Sequence, residues 1–292
     1  MLRNTSVAPL FFLSFAATVS ADWNAEKIHE VSGFQIPECV VIDEARGTAY
    51  VSNVNAAREG KGYDRFWSHD GNGFISRFSL PEPNSAPIWE KSNADFRFSG
   101  PKGMCILGDS LYVTDIDRVL QFPLDGKQPP KVIPVPGAKK LNDMASDGEF
   151  AYVTDSGAGK CYRLLPRGNH EEILAPVGIN GITFSGDKMY GVSWALRDIY
   201  ELDPAGVKPP RAFGLTDDFV TPDGIEVLRD GTFVVSDSEG NQVLAVSADG
   251  RSVAKLIECS APADIGIDRK RGLLFVPRFF DSRVNVYRLK KN

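Results

Sequence analysis

Six times along the 292-residue chain the same short phrase returns: an apolar strand opened by a polar residue, then a tight turn, then a strand reading like YVSN or YVTD. The openings are IPECVVID from Ile36, GPKGMCIL from Gly100, KLNDMASD from Lys140, INGITFSG from Ile179, TPDGIEVL from Thr221 and APADIGID from Ala261. The turns between the two strands carry Gly or Asp-Gly, as at Gly108, Ser146, Ser185 and Arg229, because hairpin turns need residues that tolerate positive φ. Laid over one another, the six phrases put Glu38, Lys102, Asn142, Asn180, Asp223 and Ala263 in one column. A repeat of about 40 residues stacks four-stranded sheets radially. The predicted fold is therefore all-β, a six-bladed β-propeller, with this column lining its axis.

Third strands alternate well, as in FISRFSL, VLQFPL, CYRLLP, IYELD, VLAVSA and VNVYRL. Fourth strands, near Ile88, Val132, Ile173, Ala212 and Ala254, are weaker and more polar, as suits an outer edge that must resist pairing with neighbours. The sixth unit ends at Asn292 before a fourth strand can form, and Asn24–Ser32 has no unit of its own. The propeller is thus expected to be closed by an N-terminal strand. One spacing is about two dozen residues too long for the repeat, which locates a lid-like insertion at about 54–73, between the second and third strands of blade one. In an up-and-down blade that loop lies at the end where the first strand begins, so the insertion overhangs the column.

Residues 1–21, with Arg3, an apolar run and small residues at Val19, Ser20 and Ala21, have the outline of a cleaved signal peptide. The expectation is a single propeller domain over 22–292, periplasmic or secreted, monomeric, with no integral membrane segment in the mature chain. A net charge of -5 and the lack of long basic runs argue against nucleic acid as a partner. Cys39, Cys105, Cys161 and Cys259 fall at non-equivalent positions without CxxC spacing, and buried free thiols are expected.

Glu38, Asn142, Asn180 and Asp223 converge if the ring closes. Two carboxylates and two amide carbonyls suit a hard divalent cation, and no His or Cys shares the column to make a structural zinc site. Lys102 is expected either to pair with Glu38 or to grip a substrate carboxylate or phosphate. Asn53, Asp115, Asp155 and Asp237 end second strands, where they can cap turns and also make the mouth acidic. In the insertion Tyr63, Phe66, Trp67 and His69 can wall a pocket, with Trp194 opposite. The three histidines, His29, His69 and His170, supply no partner for a serine triad, and the DGNG at Asp70 reads as a turn.

The Pro37-Glu38, Asn142-Asp143, Asn180-Gly181 and Pro222-Asp223-Gly224 motifs, in this order, resemble those of the gluconolactonase, regucalcin and senescence-marker-protein family. That family consists of SGL-type six-bladed propellers related more distantly to paraoxonases and strictosidine synthases. The resemblance spans the mature chain and implies a divalent metal held by Glu38, Asn142, Asn180 and Asp223, with calcium favoured and magnesium, manganese or zinc as alternatives. It further implies a metal-dependent hydrolase of lactones or related small esters in which Asp223 is the catalytic base. From their places in the column and at the mouth, Lys102, Tyr63, Trp67 and Trp194 are expected to meet a small-molecule substrate. The chain differs at Cys39, where the family has glycine, and at Lys102. An alternative reading is a non-catalytic exported ligand-binding or scaffold propeller, in which a Lys102–Glu38 pair takes the place of the metal.

Overall fold

The computed structural model of the protein describes residues 23–56, 62–80, 87–93, 96–166 and 169–292. Residues 1–21, where a signal peptide is expected, and part of the insertion, 57–61, lie outside the described residues. The first strand, β1 (Trp23–Ser32), belongs to the last sheet, and the blades then follow in chain order. Blade one is β2 (Pro37–Asp43), β3 (Thr48–Asn53), β4 (Phe74–Ser79) and β5 (Ile88–Lys91); blade two is β6 (Pro101–Leu107), β7 (Ser110–Asp115), β8 (Arg118–Pro123) and β9 (Lys131–Pro134). Blade three is β10 (Leu141–Ser146), β11 (Ala151–Asp155), β12 (Lys160–Leu164) and β13 (His170–Ile173); blade four is β14 (Ile179–Ser185), β15 (Lys188–Ser193), β16 (Asp198–Leu202) and β17 (Arg211–Ala212). Blade five is β18 (Pro222–Val227), β19 (Phe233–Asp237), β20 (Gln242–Val246) and β21 (Val253–Glu258). Blade six is β22 (Gly266–Asp268), β23 (Leu273–Arg278) and β24 (Arg283–Lys291), completed by β1 antiparallel to β24.

The expected closure is therefore present, and the ring is joined a second time near the axis. There the Val40 amide donates to the Asp264 carbonyl at 3.3 Å and the Asp264 amide to the Glu38 carbonyl at 2.8 Å, linking blade one to blade six. Apolar residues from facing blades form the core between them, as where Val40, Val51 and Phe78 of blade one meet Phe275, Val284 and Val286 of blade six. In blades one to four the outer strand is the shortest of its blade, as expected of edges, and β17 is only two residues long and exposed. All four cysteines are buried free thiols.

In blades one to five the register between first and second strands shifts at one place, between Pro37 and Val40, Pro101 and Met104, Leu141 and Met144, Ile179 and Ile182, and Pro222 and Ile225. Such a bulge releases two residues from the ladder and re-aims them. The released pairs are the column residue and its successor. Their backbone groups find hydroxyl partners on the second strand: Ser52 Oγ accepts from Cys39 N at 3.0 Å, Thr154 Oγ1 from Asp143 N at 2.8 Å and Ser236 Oγ from Gly224 N at 2.8 Å. In blade two Thr114 Oγ1 donates to the Asn142 carbonyl at 2.6 Å, tying its bulge to the next blade.

Candidate functional site

Two polar layers follow from the bulges. The upper contains Glu38, Lys102, Asn142, Asn180 and Asp223, all lining one cavity of about 670 Å³. Tyr63, Phe66, Trp67, Trp194, Phe279 and Phe280 form much of its wall, with Lys139, Lys140 and Glu239 among the charged residues. All eight residues singled out from the sequence as ligand, base or substrate contacts thus meet in one place. The insertion contributes through a short 3-10 helix, Gly62–Trp67, whose Phe66 ring is buried edge-on against Phe279 at 4.9 Å. Lys140 Nζ holds Asp64 at 3.1 Å across the mouth.

Along the cavity floor the amides form a relay. Asn142 Nδ2 donates to Asn180 Oδ1 and, at 3.1 Å, to Ser156 Oγ, while Asn180 Nδ2 donates to Asp223 Oδ1 at 2.6 Å. Glu38 is 5% exposed, and its Oε2 is buried without a hydrogen-bond partner. Burial pushes the Glu38 carboxyl up to about 8, with the Asp223 and Asp143 charges adding and Lys102 opposing. Burial likewise raises Asp223 to about 6, against the pull of Lys102 and the Asn180 hydrogen bond. An orphaned carboxylate oxygen beside a second carboxylate and two amide groups is a donor set that fits a hard divalent cation. For all four to supply oxygen, the Asn180 carbonyl must turn from Asn142 toward the axis.

Two expectations are corrected. Among the described residues no ion pair within 4.0 Å joins Lys102 to Glu38; Lys102 Nζ instead lies 4.4 Å from the centre of the Trp67 ring. Burial draws the Lys102 ammonium down from its ordinary value, Glu38, Asp223 and Asp115 oppose this, and Lys140 reinforces it. A ring face contributes about 0.5–2 kcal/mol to a cation, less than the several kcal/mol by which burial disfavours an unpaired charge. The mouth is also not acidic in the way expected, because Asn53, Asp115, Asp155 and Asp237 are fully buried and hold backbone amides. Asn53 Oδ1 accepts from Gln35 N at 2.9 Å, Asp115 Oδ1 from Ser99 N at 2.8 Å, Asp155 Oδ2 from Lys139 N at 2.7 Å and Asp237 Oδ1 from Thr221 N at 2.6 Å. They fasten the entry to each blade, and lysines share the cavity wall with the remaining acids.

The second layer went unread in the sequence, although the same alignment moved one residue on gives it: Cys39, Gly103, Asp143, Gly181, Gly224 and Asp264. Glycine is required where the opposing blades approach. A Cβ on Gly103 would stand 2.3 Å from Asp143 Cα, and one on Gly224 would stand 2.3 Å from Asp264 Oδ1. In the space so made, Cys39, Asp143 and Asp264 bring their ligand atoms within 4.8 Å of one another, and the two carboxyls hydrogen-bond each other. Burial raises Asp143 to about 7 and Asp264 well above its ordinary range, and the two acids titrate as an interacting pair.

A pH dependence of stability follows. The folded chain keeps the Asp143 proton up to about pH 7, whereas the unfolded chain releases it near 3.8. The contribution is therefore fully present below that value and is lost as pH rises through about 7, and Glu38 and Asp223 act in the same direction. In chelator, denaturant midpoints should fall between pH 5 and pH 8, and Asp143→Asn should flatten that slope. An unaltered slope in Asp143→Asn contradicts this titration of the pair.

The fold and site define a six-bladed β-propeller with a polar axial layer beneath an aromatic mouth. No family model matches the sequence, and no curated protein does. Solved structures of similar fold include luciferin-regenerating enzyme, with a TM-score of 0.67 and 15% identity, covering 92% of this chain and 95% of that one. Virginiamycin B lyase from Staphylococcus aureus, solved with quinupristin, gives 0.63 and 15%, covering 91% and 99%. A chain of a nidogen/laminin complex gives 0.60 and 15%, covering 75% and 94%. Among the described residues no helix is long and apolar enough to cross a membrane.

Proposed function

We propose that the protein is an exported metal-dependent hydrolase of lactones or related small esters, similar in mechanism to the gluconolactonase and regucalcin family. The observation that carries this reading is the buried, unpartnered Glu38 Oε2, which shares one cavity with Asp223, Asn142 and Asn180. Propellers named as enzymes and a propeller from a protein–protein complex share the fold, so fold alone does not choose an activity. The donor set does.

Glu38, Asn142, Asn180 and Asp223 would hold the ion, calcium in the first instance, with magnesium, manganese or zinc as alternatives. A cation bound there supplies Lewis-acid polarisation of the ester carbonyl and acidifies water. Asp223 takes the water proton on Oδ2, since Oδ1 accepts from Asn180. Without an ion its carboxyl stands at about 6, already ionised at neutral pH, and a bound cation would hold it ionised more firmly. Lys102 offers an Nζ hydrogen-bond donor to the substrate's polar end, while Tyr63, Trp67 and Trp194 cover its apolar body and exclude water. The outline of a signal peptide over residues 1–21 supports the periplasm or exterior as the chain's location, and a monomer is part of the same proposal.

Screening aldonolactones against aromatic and long-chain lactones, with each divalent ion and with chelator, tests the reading. Hydrolysis that chelator stops and added metal restores is the expected result. Binding of panel members without turnover under any metal would instead make the protein a ligand-binding propeller.

A further inference from the structure

We propose that Lys102 is an amine nucleophile that condenses with a small aldehyde or ketone to form an imine on the cavity floor. This activity is separate from ester hydrolysis and needs no ion. Four observations point to it. Lys102 is 3% exposed yet lines the cavity, so its Nζ faces a space of about 670 Å³ able to admit a small carbonyl compound. Among the described residues no carboxylate lies within ion-pairing distance of it, and its neighbour is the Trp67 ring. A second lysine, Lys140, has its Nζ 5.6 Å from the centre of the same ring and ion-paired with Asp64. A lysine desolvated among apolar walls and set beside another cation is the arrangement that frees an amine lone pair for attack on a carbonyl. Burial draws Lys102 in that direction.

The remaining parts are in the same layer. The Nζ lone pair attacks the carbonyl carbon, the C–N bond forms and the carbonyl π electrons move to oxygen. The oxygen gains a proton from a carboxyl group, and the nitrogen proton passes to a carboxylate, for which Glu38 and Asp223 are the acid groups of the layer. The hydroxyl then takes a second proton from a carboxyl group and leaves as water, the C–O bond breaking as the nitrogen lone pair forms the C=N bond, and the iminium gives its remaining proton to a carboxylate to leave the imine. One amine and one carbonyl yield one imine and one water, with no oxidant or reductant.

Reductive trapping tests this in the full chain, in chelator and without any lactone, so its outcome is independent of hydrolysis. The protein is incubated with benzaldehyde, or separately with pyruvate, together with sodium cyanoborohydride, and adducts are located by peptide mass spectrometry. Lys102 should be alkylated at least tenfold faster than the exposed Lys188 with one of the two probes. In Lys102→Met the rapid phase should vanish while labelling of Lys188 is unchanged. Alkylation of Lys102 no faster than of Lys188 with both probes overturns the proposal, as does a rapid phase that survives Lys102→Met.

Discussion

A chain that begins at Gly33 is expected to melt about 10 °C below the full propeller, at about 2–4 °C per kcal/mol for a protein of this size. The loss follows from what β1 does. It pairs with β24 from Trp23 opposite Lys291 to Ser32 opposite Arg283, so its removal uncovers a nine-residue edge on the last strand. It also removes Val31 from the core between blades six and one, and Trp23 and Ala25 from the core between blades five and six. Burial of Val31 alone contributes about 1.5–3 kcal/mol. Together with the lost ladder, this is a sizeable part of the roughly 5–15 kcal/mol by which natural domains are stable. The axial bonds between Glu38, Val40 and Asp264 remain, so the shortened ring should still fold at low temperature. Calorimetry of both chains checks this, and equal melting temperatures contradict the closing role of β1.

Asp223→Ala is expected to lower lactone turnover by about 10²–10⁴-fold, the range contributed by a positioned general base. Added metal should not restore it. Asn180→Ala should behave differently, because an amide donor can hold an ion but cannot take a proton. It should raise the metal concentration needed for half-maximal rate and recover most turnover at saturation. Since Asp223 must be ionised to act and a bound cation would draw its carboxyl below the metal-free value of about 6, the rising limb of the wild-type rate should lie below about pH 6 and should be absent from the residual activity of Asp223→Ala. Metal titrations of initial rate at several pH values separate the two variants. Wild-type turnover by Asp223→Ala at saturating metal removes the residue from the mechanism.

The ring and its upper layer were legible because a propeller repeats one local solution. The bulge that frees Glu38 in blade one recurs at Lys102, Asn142, Asn180 and Asp223, so a polar residue stands out at the same place in each apolar phrase. The N-terminal strand was legible from a missing partner. What escaped reading depends on distances between blades. Asp143 and Asp264 lie far apart in the chain and meet only because Gly103 and Gly224 let the inner strands approach. Likewise Lys102 turned to Trp67 rather than Glu38, which depends on the path of the insertion and on the anchoring of Phe66 by Phe279. The acids at second-strand ends were expected to cap turns and also to charge the mouth; the backbone amides they hold, including the turn capped by Asp155, are present, and the charged mouth is not. An Asp at a strand end gives no sign in sequence of whether it faces water or the amides of the next loop, as Asp155 does at Lys139 and Lys140.

Whether the axial layer holds a cation is tested most directly by elemental analysis of protein purified without chelator, wild type beside Glu38→Gln. The account predicts one divalent ion per wild-type chain and at least tenfold weaker binding in Glu38→Gln, because the substitution removes a charged oxygen from a set with two carboxylates. No bound ion in the wild type after soaking with calcium, magnesium, manganese and zinc, or equal affinity in both proteins, would contradict it.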